Sequence, residues 1–418
     1  MKTGNVRGMR VQSHRIEPTD QGPSIVLPLV PHQKNTAPRS GSSSAGGKPT
    51  TSWKNAVELP GDPLNRAGIV TDSATSFRTA STSLSAIGDE DVGPRVPMLG
   101  RGVWKDGAAM EMGVHLPLIE WGREGQSLAR LQATVDAARE CGFSVVSAND
   151  HFVFAKPWLD GLTALAAVAE RSGEMRLATT VSLAALRGPV PLAKALTAID
   201  ILCDGRLIAG VGPGSSQRDY DAIGMPFDER WPRFEEAAAI LRSLLRGAPA
   251  PEGTGYYPVP DLALGPPPRR DGGIPLWIGS WGSKAGLRRV ARLADGWVAS
   301  AYNTAPDRFG AARELLTAEL AERGRDGDRF PNSLVTMWTW VTEDRGEAER
   351  MLGEMLAPVL RREMGDLRDH LCIGPAERCA ELLSRYAHAG CERVLFWPLG
   401  DEPRQVERLA ADVRPLIG

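Results

Sequence analysis

The sequence predicts an α/β chain folded as a (β/α)₈ TIM barrel with insertions, preceded by a disordered N-terminal extension. Three observations lead there. From Glu111 onward short β-type runs alternate with helical patterns, the signature of repeated βα units on a parallel sheet. Eight such runs fit between residues 111 and 418, the length of one barrel with insertions. The second run ends on Ser147-Ala-Asn-Asp-His-Phe152. That places polar side chains at the carboxyl end of a strand, where such barrels carry their chemistry. A doubly wound open sheet is the alternative, weakened because no G-x-G-x-x-G follows the first strand.

The elements follow in order. The first strand is Met112-Gly-Val-His-Leu-Pro117. Ser127 is the N-cap of a helix with Leu128, Leu131, Val135 and Ala138 on one face, ending at Gly142. The second strand runs from Phe143 to Ala148, and an Ala-rich helical stretch from Leu159 to Glu170 follows it. The third strand is Arg176 to Leu183 and the next helix Leu192 to Leu202. The fourth strand, Arg206 to Gly212, runs into Pro213 and Gly214. A longer helix starts after Asp228, with Phe234, Ala238, Leu241 and Leu245 as its apolar stripe. Residues 248–273 are a Pro/Gly-rich insertion, long enough to border a pocket and close over it. Strands resume at Pro275–Ile278, Gly296–Ala299, Leu334–Val341 and Arg393–Trp397. Helical patterns separate them around 284–294, 307–323, 343–362 and 376–389.

Residues 1–108 differ from the rest. They are rich in Ser, Thr, Gly and Pro and show no sustained period, so they bury too little apolar surface to offset chain entropy. The barrel domain is expected over 109–418. Met110 and Met112 stand just before the first strand, which fits a start site assigned too far upstream. A formal net charge of −2 argues against nucleic-acid and membrane-surface partners. No apolar run is long enough to span a bilayer, and Ser24–Val30, broken by Pro28, is a poor signal sequence. Five cysteines in no disulfide framework fit reduced thiols in the cytoplasm. His370, Cys372, Cys379, His388 and Cys391 cluster in sequence without a CxxC knuckle, so no metal is expected.

Two segments carry chemistry. Gly279-Ser-Trp-Gly-Ser283 follows a strand and opens a helix at Lys284. Glycines allow close approach of backbone N–H groups and the helix start adds partial positive charge, so the loop suits a phosphate; a plain βα turn is the other reading. Gly212 and Gly214 read likewise, as a tight turn or a close approach to a cofactor. His151 can take or give a proton near neutral pH, with Asp150 orienting the site. A structural histidine paired with Asp150 is the alternative. His115 is a second candidate, and Trp397 is a wall residue for the pocket.

From Met110 to Gly418 the chain resembles the luciferase-like monooxygenase family of flavin-dependent barrels. The likeness rests on four segments. These are Asn149-Asp-His-Phe152; Ala178-Thr-Thr-Val-Ser182 with Arg187–Lys194 and Leu202–Arg206; Gly210-Val-Gly-Pro-Gly214 with Asp219-Tyr220, Gly224 and Glu229-Arg230; and Pro275–Ser283 with Ala294-Asp-Gly-Trp297. Asn149, Asp219 and Ser280-Trp281 depart from the commoner family residues. The resemblance implies a flavin phosphate near Gly279, Ser280, Trp281, Gly282 and Ser283, and a cofactor face at Gly212 and Gly214. It also implies a backbone bulge at Thr180 and Val181 behind the flavin ring, with a cis Thr180–Val181 bond. The activity implied is an oxidoreductase on a small organic substrate. The cofactor is either reduced FMN with oxygen, or the deazaflavin coenzyme F-420 with hydride transfer, towards which the Asp-His pair tilts. Pairing into a homodimer is implied too. A barrel that binds flavin or another ligand without turnover is the competing class.

Overall fold

The computed structural model describes residues 110–418, apart from 123–124, 252–254 and 261–262. The extension expected over 1–108 lies outside the described residues.

Eight strands form the barrel: β1 (Glu111–His115), β2 (Val145–Ala148), β3 (Arg176–Thr179), β4 (Leu207–Gly212), β5 (Leu276–Gly279), β6 (Gly296–Ser300), β7 (Asn332–Val341) and β8 (Arg393–Pro398). Each pairs in parallel with the next. The ring closes where Glu111 and Met112 pair with Arg393 and Val394. The open-sheet alternative is thereby excluded. Nearly every strand residue is buried, because helices cover the outside and side chains fill the inside. Val145, Ala178, Ile208, Trp277, Val298, Val335 and Leu395, one from each of β2 to β8, pack together as the inner core. On β1 the corresponding space belongs to Gly113, where a Cβ would stand 2.3 Å from Leu395.

The helices obey local signals. Ser127 accepts a hydrogen bond from the Arg130 N–H, and Leu131, Val135 and Ala138 are buried below it. Leu128, expected on that face, is 51% exposed. Asp160 caps the helix Gly161–Val168. The single helix expected over 343–362 is broken into Arg345–Arg350, a π-helical turn Met351–Leu356 and Ala357–Leu360. Pro358 lacks an N–H for the regular ladder, which accounts for the interruption. The third strand also stops short of its expected end. It ends at Thr179, the Thr180–Val181 peptide bond is cis, and Ser182–Leu183 pairs separately with β4. No helix among the described residues is long and apolar enough to cross a membrane.

Candidate active site

The carboxyl ends of the strands converge on three adjoining cavities of about 500, 340 and 130 Å³. The smallest is the hub. Asp150, His151, Thr180, Val181, Gly214, Gly279, Ser280 and Trp281 all line it. Gly212 joins Val181, Gly214, Gly279 and Trp281 around the 340 Å³ cavity. Gly282 and Ser283 line none of the three. Gly282 turns the chain at φ +82°, and Ser283 caps the helix Lys284–Leu293 by accepting from the Gly286 N–H.

The bulge at Val181 explains the glycines opposite. A Cβ on Gly212 would lie 2.7 Å from Val181 Cγ2, so a larger residue on β4 would displace the bulge. Gly279 faces the same side chain at an ordinary contact distance. Thr180 donates its N–H to the Ala148 carbonyl, while its Oγ1 is buried without a partner among the described residues. A glycine-lined floor with an orphan hydroxyl beside it fits a planar polar ring.

His151 lies at the junction of the hub and the 500 Å³ cavity. Its Nδ1 is 2.8 Å from the carboxylate of Asp219, which is fully buried. The other Asp219 oxygen accepts the N–H groups of Phe152 and Val153, both at 2.8 Å. One carboxylate thus fixes both the ring and the backbone carrying it. With a proton on Nδ1 facing the carboxylate, Nε2 is left with its lone pair and has no partner among the described residues. Trp158 and Phe154 pack on the ring with centroids 4.7 and 4.8 Å away.

Asp150, expected beside His151, is engaged elsewhere. Arg187 grips it in a two-pronged pair at 2.5 and 2.7 Å, and the Leu183 N–H donates to it. Arg187 also reaches Asp160. Asp150 therefore ties the β2 loop to the segment after the bulge, and it is Asp219 that orients His151. His115 is a third case. Burial drives its pKa down to about 3, so the ring is neutral. It stacks on Trp397 at 3.6 Å and accepts the Asn149 N–H. Trp397 is a wall residue, as expected, joined by Trp338 and Tyr302.

The described part of the insertion 248–273 does not border the pocket. None of its described residues lines the three cavities. Glu236 accepts the N–H groups of Tyr256 and Tyr257, and the Tyr257 hydroxyl donates to the Ala185 carbonyl, which pins the segment to the outer wall. Among the described residues, no group of three or more His, Cys, Asp or Glu is arranged to hold a metal ion.

A closed parallel barrel with oriented polar groups at the carboxyl ends of its strands is an enzyme architecture. The chain belongs to the luciferase-like monooxygenase family, whose model matches residues 110–393. An F-420-dependent glucose-6-phosphate dehydrogenase of Beutenbergia cavernae is 30% identical over 322 residues, covering 67% of this chain and 90% of that protein. An uncharacterised protein of Mycobacterium tuberculosis is 31% identical over 150 residues, 36% of this chain. There the match spans about half, 51%, of the relative's length. Among solved structures, an F-420-dependent secondary alcohol dehydrogenase in complex with an F-420–acetone adduct superposes with a TM-score of 0.64. It is 16% identical and covers 74% of this chain and all of that one, a likeness of fold.

Proposed function

We propose that this protein is an F-420-dependent oxidoreductase that interconverts an alcohol and a carbonyl on a small organic substrate. The observation that carries the reading is His151, held by Asp219 at Nδ1 and lining a cavity next to the glycine-lined bulge. The Beutenbergia relative, similar over most of its own length, supports the deazaflavin rather than FMN. When bound, the deazaflavin supplies a two-electron hydride acceptor. Val181, Gly212, Gly214 and Gly279 would seat its ring, and the turn from Gly279 to Ser283 would take its phosphate. His151 Nε2 accepts the hydroxyl proton of the substrate, and Asp219 stabilises the resulting imidazolium. The aromatic walls exclude water from the reacting carbon. Free cysteines and the small-molecule cavity suit a cytoplasmic enzyme, and a homodimer is its expected assembly.

Anaerobic titration of the purified protein with coenzyme F-420 and with reduced FMN tests the reading. F-420 is expected to bind and FMN not. His151→Ala is expected to retain F-420 and to lose at least about 100-fold in turnover, the scale of one proton-transfer group. Tight binding of FMN alone would assign the oxygen-dependent chemistry instead. Binding of neither, or wild-type rates in the variant, would remove the assignment.

A further inference from the structure

Asn149, His151, Ser215, Tyr302 and Thr336 line both the hub and the 500 Å³ cavity. Of these, His151 and Tyr302 are the two whose side chains serve as proton acceptors or donors in catalysis. They stand on opposite sides of the mouth. His151 follows β2 and Tyr302 follows β6, four strands away in a ring of eight. Tyr302 lies in the short turn Ala301–Asn303 and is partly exposed. A run of hydrogen bonds holds that turn. Arg362 donates to Asn303 Oδ1 at 2.7 Å, the Asn303 amide donates to Ser300 at 3.0 Å, and the Ser300 and Thr336 hydroxyls bond at 2.9 Å. Thr336 sits where β7 has one residue more than β8, since Leu334 pairs with Val394 but Met337 with Phe396. Its φ of +58° is one that β-branched residues seldom adopt. Bulges of this kind re-aim side chains beside functional sites, and this one sets Thr336 on the wall of both cavities. Burial pushes the Tyr302 phenol above its ordinary value of 10, and Asn303, Arg362 and Ser300 offset this only in part. The phenol is therefore protonated at neutral pH and able to donate.

We propose that Tyr302 is a second catalytic residue, whose phenol O–H donates a hydrogen bond to the reacting oxygen of the substrate from the side opposite His151. The proposal rests on the reading of the protein as an F-420-dependent alcohol–carbonyl oxidoreductase. In oxidation the substrate O–H bond breaks and its proton passes to His151 Nε2. The carbon-bound hydrogen leaves with its electron pair to the deazaflavin, and the carbon–oxygen double bond forms. Tyr302 keeps its own proton throughout. Its hydrogen bond is strongest while the oxygen carries partial negative charge, so it lowers the barrier rather than tightening substrate binding. In reduction the same bond polarises the carbonyl. The two side chains suit these separate tasks, because an imidazole accepts a proton near neutral pH and a buried phenol does not lose one.

Tyr302→Phe keeps the ring and removes the hydroxyl. The probes are coenzyme F-420 and a panel of neutral alcohols: propan-2-ol, butan-2-ol, cyclohexanol and benzyl alcohol. The variant is expected to bind F-420 within about twofold of the wild type. With any alcohol that the wild type oxidises, kcat is expected to fall about 100-fold and KM to stay within about threefold, the mark of a contact made in the transition state. A second readout needs no turnover. The difference in tyrosinate absorbance between wild type and variant is expected to stay flat from about pH 7 to 10. An unchanged kcat, a rise in KM alone, loss of F-420 binding in the variant, or tyrosinate forming at Tyr302 below about pH 9 would overturn the proposal and leave the oxidoreductase reading standing. Failure of the wild type to bind F-420, or to reduce it with every alcohol, would overturn the reading and the proposal together.

Discussion

Asp219 shows how one buried carboxylate can orient a proposed catalytic group at a distance in sequence. It is separated from His151 by 68 residues, yet it bonds the ring and two N–H groups of the His151 loop. In Asp219→Asn one oxygen can still serve the backbone, but the amide presents a donor to Nδ1. The ring then shifts its proton to Nε2 and can no longer accept one. We expect kcat to fall about 100-fold, with F-420 affinity within about twofold of wild type. Steady-state kinetics and titration of the variant check both, and an unchanged kcat would show that His151 needs no fixed tautomer. His115 gives the opposite lesson. Its folded pKa of about 3 lies below the ordinary 6.5, so the unfolded chain binds the extra proton between those values. The stability it protects is fully present above about pH 6.5 and is lost as pH falls towards 3, by up to about 1.4 kcal/mol per pH unit. Urea unfolding of wild type and His115→Gln should therefore show a gap that narrows on acidification. A gap independent of pH would contradict it.

At the level of elements, the site is built where strands stop. β3 ends at Thr179, the cis bond turns the chain, and Leu183 is held by Asp150 through its N–H. Arg187 completes the arrangement by neutralising Asp150, whose side chain is 1% exposed. Arg187→Leu would leave that charge buried and unpaired. We expect a loss of about 3 kcal/mol in unfolding free energy, measured in urea, and a weaker cofactor complex because the bulge is no longer anchored. A loss below about 1 kcal/mol would show that water or another cation replaces Arg187 easily. These relations mark the limit of what sequence reveals. Period and turn residues are local, so all eight strands and the caps at Ser127 and Gly142 were legible. The Asp-His step after β2 was legible as well, because it interrupts an apolar run. The partners of those two residues were not. Asp219 and Arg187 meet them only once the barrel closes, and a carboxylate between Arg218 and Tyr220 reads locally as surface. The insertion 248–273 misled for a related reason, since composition signals a loop but not the wall it lies against.

The barrel separates the end proposed to react from the end that holds the ring shut. At the amino-terminal ends of the strands Glu111 of β1 receives Arg393 of β8 at 2.8 Å and Arg176 of β3 at 3.1 Å, with Ser144 donating a further hydrogen bond. The cluster therefore bridges the strand pair at which the barrel closes. Burial acts to raise the Glu111 pKa, but the two guanidinium groups outweigh it and the carboxyl titrates below its ordinary 4.5. Arg393 is 3% exposed and also stacks over Trp277 at 5.4 Å, so it has no easy route to water. Glu111→Gln keeps the shape and removes the charge, leaving Arg393 buried without its counter-ion. We expect a loss of about 3 kcal/mol at neutral pH. The sign of the pH dependence follows from the depressed acid. In the wild type the contribution is complete above about pH 4.5 and disappears as pH falls through the lower folded value, so the two proteins should converge in acid. Turnover per folded molecule should stay within about twofold of wild type, because the cluster lies at the opposite end of the strands from His151. Unfolding curves at several pH values, paired with activity at neutral pH, separate these effects. A fall in turnover with stability intact would mean that barrel closure and the reactive mouth are coupled through the strands.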